Sequence, residues 1–196
     1  MKIRNITIFC GARTGDDPIY EEQAYALGAM LAEKGIGVVF GGGAIGLMGA
    51  VADGALLKGG TVTGVIPKFL VEREMAHPDV QHMEIVETMH ERKAKMEELG
   101  DAILTLPGGA GTLEEFFEIF TWGQIGLQKK PIGLLDVNHF FDTLTHLFEK
   151  LIAEGFLEEK YMGLLFISDD ATEILKSFET FEPVEARTYD TSKRRP

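Results

Sequence analysis

The chain has 196 residues, of which 45% are hydrophobic and 26% charged, with 31 acidic against 19 basic side chains for a net charge of −12. That balance describes one well-buried domain and argues against a disordered chain and against nonspecific binding to nucleic acid or to an anionic membrane, so any phosphate must be captured locally. The single cysteine, Cys10, excludes an intrachain disulfide and a cysteine-based metal cluster and fits a reducing cytoplasm.

Met1 to Ile6 runs straight into a strand pattern without the apolar core of a signal peptide. Ile3 to Cys10 reads as a buried strand and Gly11 to Asp16 as the loop after it. Asp17 follows as an N-cap with Pro18 at the first helical position, and Gly35 stops that helix. Val38 to Phe40 is a second strand, ending in the glycine-rich turn Gly41-Gly42-Gly43-Ala44-Ile45-Gly46-Leu47-Met48-Gly49. The next helix runs to about Lys58, Gly59-Gly60 closes it, and Thr61 to Ile66 is a third strand. The uncharged run from Gly35 to Ala52 has the length of a membrane span, but its seven glycines argue against one.

Residues 67 to 81 read as a loop or short helix, and Met83 to Val86 as another strand. Met89 to Leu99 is helical, with Gly100 as its cap. Ala102 to Leu106 is a strand that breaks into Pro107-Gly108-Gly109-Ala110-Gly111-Thr112, and the helix beyond carries Phe116, Phe117, Phe120 and Trp122. Pro131 to Val137 is a strand, Phe140 to Ala153 a helix, Leu164 to Ser168 the last strand and Ala171 to Phe178 the last helix. The polar segment 182–196 is expected to fray, which sets the domain at 1–181. Short apolar strands alternating with helices imply βαβ units, hence an α/β fold with a mainly parallel sheet and helices on both faces. Ligands of such sheets sit at the carboxyl ends of the strands, so the loops after Cys10, Phe40 and Leu106 are expected to converge.

The chemistry concentrates in two helix starts. Gly108, Gly109 and Gly111 let main-chain N–H groups approach an anion, Thr112 adds a hydroxyl where a helix dipole favours negative charge, and Glu115 follows one turn along as a carboxylate beside that anion. A tight strand-to-helix connection without a ligand uses the same glycines. Glu114 and Glu115 point about 100° apart on a helix, so only one faces the glycine loop. Arg92 shares a stripe with Met96 and Leu99; its guanidinium wants a carboxylate or a phosphate, or else snorkels at the core edge or pairs across a subunit contact. The five histidines lack metal-ligand spacing, so no metal is expected. Cys10 reads as a small buried thiol, and Met48, Met89 and Met96 as packing residues of which one lines an adenine-sized pocket.

Together, Pro107 to Glu115 and the preceding Met89-His90-Glu91-Arg92-Lys93 resemble the Pro-Gly-Gly-x-Gly-Thr-x-x-Glu and Met-His-x-Arg-Lys signatures of the "Lonely guy" cytokinin-activating phosphoribohydrolases. Many members of that family carry the label "possible lysine decarboxylase". Gly41 to Gly43, Gly46 to Gly49 and Val65-Ile66-Pro67 fall in the family's order, and the likeness spans residues 3 to 157. The resemblance implies a Rossmann-like, at least dimeric enzyme without a cofactor, which hydrolyses the N-glycosidic bond of adenine-type nucleoside 5′-monophosphates to free base and ribose 5-phosphate. It implies Arg92 and Glu115 as the catalytic pair, with Arg92 holding the phosphate or orienting Glu115. The implied substrate-binding set is Glu74, Met89, Lys93, Gly108, Gly109, Ala110, Gly111 and Thr112, joined by Gly11, Gly43 and Gly46 from the other glycine turns. Ala12 departs from a serine usual in the family, and Ala110 from a frequent tyrosine. Two other readings compete: a noncatalytic nucleotide or cofactor carrier, like related molybdenum-cofactor carriers, and a lysine decarboxylase. A carrier needs the glycine cradle but no carboxylate at the sugar, and a decarboxylase commonly needs pyridoxal phosphate on a lysine.

Overall fold

Seven parallel strands pair in the order β4-β3-β2-β1-β5-β6-β7 in a computed structural model that describes residues 2–73 and 75–188. The strands are β1 Asn5–Phe9, β2 Gly37–Phe40, β3 Val62–Pro67, β4 His82–Val86, β5 Ala102–Thr105, β6 Ile132–Leu135 and β7 Leu165–Ser168. The helices are α1 Ile19–Glu33, α2 Gly46–Leu57, α3 Lys68–Val71, α4 Met89–Leu99, α5 Ala110–Gln124, α6 Asp142–Ala153 and α7 Ala171–Glu179. Strands β2, β5 and β6 are buried along their whole length, as expected where helices cover both faces, whereas β4 is an exposed edge. One apolar core lies under α1, α2 and α7, and a second, built around Phe116, Phe120 and Phe148, lies under α4, α5 and α6. The result is the expected Rossmann-like α/β domain.

Local chemistry sets the element ends. Asp17 Oδ1 accepts the Ile19 N–H at 3.0 Å and Pro18 already has helical angles immediately before α1, so the predicted start of the helix holds to within one residue. At the other end of α1, Gly35 turns left-handed (φ 69°) and Ile36 N–H returns to Leu31 O at 2.9 Å. Two mid-helix glycines have a different reason. A Cβ on Gly28 of α1 would lie 2.0 Å from Val51 O, and one on Gly54 of α2 would lie 2.0 Å from Tyr25 O, so the two helices touch backbone to backbone.

Two expectations need correction. The helix expected from Phe140 starts at Asp142, because Asn138 and His139 adopt left-handed angles (φ 52° and 57°) and break the chain after β6. The segment expected to fray is laid down through residue 188: Val184 joins the second core and Arg187 N–H donates to Gln124 O at 2.7 Å, near the C-terminus of α5. Residues 189–196 lie outside the described residues. Among the described residues no helix is long and apolar enough to cross a membrane.

Candidate active site

Strand β1 lies between β2 and β5, so the connections leaving β1 and β5 go to opposite faces of the sheet and a crevice opens above their carboxyl ends. Main-chain bonds tie the loops there: Gly11 N–H to Pro107 O at 3.0 Å and Leu47 N–H to Gly11 O at 3.0 Å. Such close approach needs glycine. A Cβ on Gly108 would lie 2.8 Å from Gly11 N, and one on Gly46, itself left-handed at φ 66°, would lie 2.3 Å from the Ala12 carbonyl carbon. The loops after β1, β2 and β5 thus enclose one cavity of about 460 Å3, lined among others by Gly11, Gly108, Gly109, Gly111, Thr112, Arg92 and Glu115. The first turn of α5 begins at Ala110 after Gly109 and opens onto this cavity, presenting main-chain N–H groups and the Thr112 side chain.

Arg92 and Glu115 meet inside it. Thr88 caps α4 by accepting the Glu91 N–H at 3.1 Å, and the helical period turns Arg92 and Met96 inward, leaving Arg92 only 7% exposed. The guanidinium donates from Nε to Val65 O at 3.1 Å, from Nη2 to Gly41 O at 3.0 Å and from Nη1 to Glu115 Oε1 at 3.3 Å. Gly41 makes room for it, since a Cβ there would lie 1.7 Å from Nη2. Burial pushes the Glu115 carboxyl above the ordinary carboxylate range; the positive charge of Arg92 pulls it back, and Glu114 raises it further. Burial also pushes the Cys10 thiol far above its usual value, with the Glu115 charge adding to the effect, so Cys10 stays a neutral wall of the cavity.

The remaining predicted positions divide. Lys93 is not part of the cavity wall: one residue along the helix from Arg92, it is turned about 100° away. Its ammonium binds Glu114 Oε1 at 2.5 Å and Glu118 Oε2 at 3.0 Å. Burial disfavours that charge, but the two carboxylates together raise its pKa above the usual lysine value. Glu114 is therefore the glutamate that faces away. Met89 is 40% exposed at the start of α4 and Ala110 is exposed at the start of α5; neither lines the cavity. Gly43 and Gly46 shape it from behind, Gly43 through an antiparallel bridge to Ala76 and Gly46 through the contact with Ala12. Glu74 lies outside the described residues.

Tyr20 and Phe140 also line the cavity, edge to face with ring centroids 6.0 Å apart, beside Arg13, Thr14 and Met48. Of these the sequence singled out Met48, and it brought Arg13 and Thr14 only as part of the loop after Cys10. Tyr20 carries no motif, although its place just after the Asp17-Pro18 start puts it near the strand ends. Phe140 depends on the left-handed turn before it, for which Asn138 is the only sequence hint. Among the described residues, Asp136, His139 and Asp142 are the one group with metal-type atoms in mutual reach. That group serves the turn after β6, where Asp136 Oδ1 accepts the Phe141 N–H at 2.7 Å, and it does not line the cavity.

Residues 48–178 match a family described as "Possible lysine decarboxylase". Over 182 residues the chain is 40% identical to the Arabidopsis thaliana protein named cytokinin riboside 5′-monophosphate phosphoribohydrolase LOG7, covering 93% of this chain and 84% of that one. It is 41% identical to the enzyme of the same name, LOG, from Oryza sativa subsp. japonica, covering 93% and 75%. Among solved structures, a molybdenum cofactor binding protein from Rippkaea orientalis superposes with a TM-score of 0.69 at 20% identity, over 90% of this chain and 98% of that one. A molybdenum cofactor carrier protein from Chlamydomonas reinhardtii superposes with a TM-score of 0.70 at 19% identity, over 92% and 98%. At those identities the two structures share the fold.

Proposed function

The chain belongs to the family that includes the cytokinin riboside 5′-monophosphate phosphoribohydrolases, and from that premise we propose that it hydrolyses the N-glycosidic bond of adenine-type nucleoside 5′-monophosphates, releasing free base and ribose 5-phosphate. The observation that carries the reading is a buried Arg92–Glu115 pair opening into the same cavity as the glycine-lined start of α5.

In this proposal the 5′-phosphate sits against the main-chain N–H groups of Gly109 to Thr112, where the helix dipole compensates a site on a strongly acidic protein. The sugar then lies beside Glu115. As the bond between the anomeric carbon and the base nitrogen breaks, its electron pair leaves with the base, which takes up a proton. The ring gains oxocarbenium character, which the Glu115 carboxylate stabilises while accepting a proton from the water whose oxygen bonds to the anomeric carbon. A carboxylate whose proton affinity is raised by burial is the stronger base for that step. Arg92 orients Glu115, since three of its five N–H donors are already committed to Val65, Gly41 and Glu115. Tyr20, Phe140 and Met48 supply the aromatic and apolar wall for the base.

A lysine decarboxylase commonly needs a lysine at the reacting centre, and among the described residues no lysine lines the cavity. A carrier has no use for a buried carboxylate beside the sugar. The active unit is the single domain, read in the sequence as 1–181 and extended by the packed segment 182–188, working in the cytoplasm as a homodimer with the site near the subunit interface. Exposed apolar side chains on and next to the edge strand β4, namely Ile85 on the strand, Phe69 in α3 and Met89 at the start of α4, support self-association. Chromatography after incubation with AMP or N6-isopentenyl-AMP tests the activity: free base and ribose 5-phosphate should appear. Adenosine, which lacks the anion, should react at least about a hundredfold more slowly, because remote binding energy is lost. Equal rates with and without the phosphate, or no base from either nucleotide, would overturn the proposal.

A further inference from the structure

The connection between β3 and β4 is the least regular part of the sheet's framework, yet it is fastened to the glycine turn after β2 at several points. Ala44 N–H donates to Met75 O at 3.0 Å, His77 N–H to Gly42 O at 2.9 Å, and Gly43 and Ala76 form an antiparallel bridge. The side chain that locks this attachment is His77, 5% exposed and set edge-on to Phe40 with ring centroids 6.5 Å apart. Its Nδ1 accepts the Asp79 N–H at 3.3 Å, which leaves the ring proton on Nε2, where it faces Asp53 Oδ1 of α2 at 3.1 Å. The imidazole therefore pins the connection both to itself and to a helix on the far side of the turn.

The pinned turn begins with Gly41, whose carbonyl holds Nη2 of Arg92, and Arg92 in turn holds Glu115. From this contact chain we infer that His77, through Asp53, is a positioning residue for the Arg92–Glu115 pair. It fixes the Gly41–Ala44 main chain so that the Gly41 carbonyl meets the guanidinium. Nothing in this role requires His77 to touch substrate or to change its protonation. The inference deepens the proposed hydrolysis, and only its kinetic arm rests on that reading.

The test compares His77→Ala, His77→Gln and Asp53→Ala with wild type in two readouts. One is the Arg92 Nε–H resonance and its solvent exchange, which needs no substrate; the other is kcat and KM for AMP normalised to folded protein. Glutamine keeps an amide donor for Asp53 and serves as the rescue variant. Because small misplacements at a reacting centre are costly, His77→Ala should lower kcat about tenfold or more with KM within about twofold, Asp53→Ala about threefold, and His77→Gln less than either. The Arg92 resonance should broaden and exchange faster in the same order. If His77→Ala is too poorly folded to assay, Asp53→Ala decides alone, since the Asp53 side chain is 58% exposed and its loss leaves the packing intact. An unaltered Arg92 resonance in the folded variants, or a loss of activity without any change at Arg92, would overturn the inference. A wild-type protein that releases no base would instead sink the proposed reaction, with the resonance still testing the latch.

Discussion

Glu115 is held by opposing influences: burial raises its proton affinity, and Arg92 lowers it by less. A carboxyl with a native pKa above its unfolded value binds more protons in the native state between the two values. Its contribution to stability is therefore complete below the unfolded pKa and is lost as pH rises through the raised native one. Glu115→Gln removes that dependence. The urea midpoint of the variant relative to wild type should rise from acid toward neutral pH, while base release falls at least about a thousandfold and nucleotide binding is largely kept. A midpoint difference independent of pH would contradict this account of the pair. Arg92→Ala strands the Val65 and Gly41 carbonyls together with Glu115 and should cost roughly 3 kcal/mol in equilibrium urea unfolding. Gly41→Ala should lower kcat for AMP about tenfold or more in a steady-state assay, because the added methyl occupies the place of Nη2 and displaces the guanidinium from Glu115. The meeting of Arg92 with Glu115 was implied by the resemblance of their two motifs to one family, whereas the residue pattern by itself left the guanidinium a choice between a carboxylate and a phosphate. That only one of Glu114 and Glu115 faces the glycine loop followed from the helical period. The pairing of Lys93 with Glu114 and Glu118 was not legible, because those residues come together only when α4 and α5 are placed side by side.

At the scale of the elements, caps and glycine turns carried the most information. Asp17-Pro18, Gly35 and Gly108 in the turn after β5 mark their boundaries with backbone chemistry that few other residues satisfy. Gly28 and Gly54 were silent, since a glycine within a helix announces nothing until a second backbone lies against it. Alanine at either position must push α1 and α2 apart. Each substitution should cost about 1–3 kcal/mol and lower the melting temperature by roughly 2–10 °C, as followed by circular dichroism, with KM for nucleotide little changed. The helix start at Asp142 and the laid-down segment 182–188 escaped the sequence reading for different reasons: the first depends on the left-handed Asn138-His139 turn, across which Asp136 Oδ1 accepts the Phe141 N–H, and the second on the distant Gln124 carbonyl that receives Arg187.

For the whole molecule, the alternation of strands and helices was enough to give a parallel sheet and to bring the loops after Cys10, Phe40 and Leu106 to one end. The strand order was not legible, because equally apolar short strands do not encode their neighbours. Sedimentation of the full chain should give a dimer, and a charge introduced at Ile85 on the β4 edge should weaken it; a monomer at micromolar concentration would contradict the proposed assembly. The central claim is that the buried carboxylate does the chemistry while the glycine-lined helix start holds the anion. Its most direct test is a single-turnover measurement of base release from AMP by wild type and by Glu115→Gln, with nucleotide binding measured on the same samples. The account predicts rapid release by the wild type and none detectable by the variant at comparable occupancy; release at equal rates from both would contradict it.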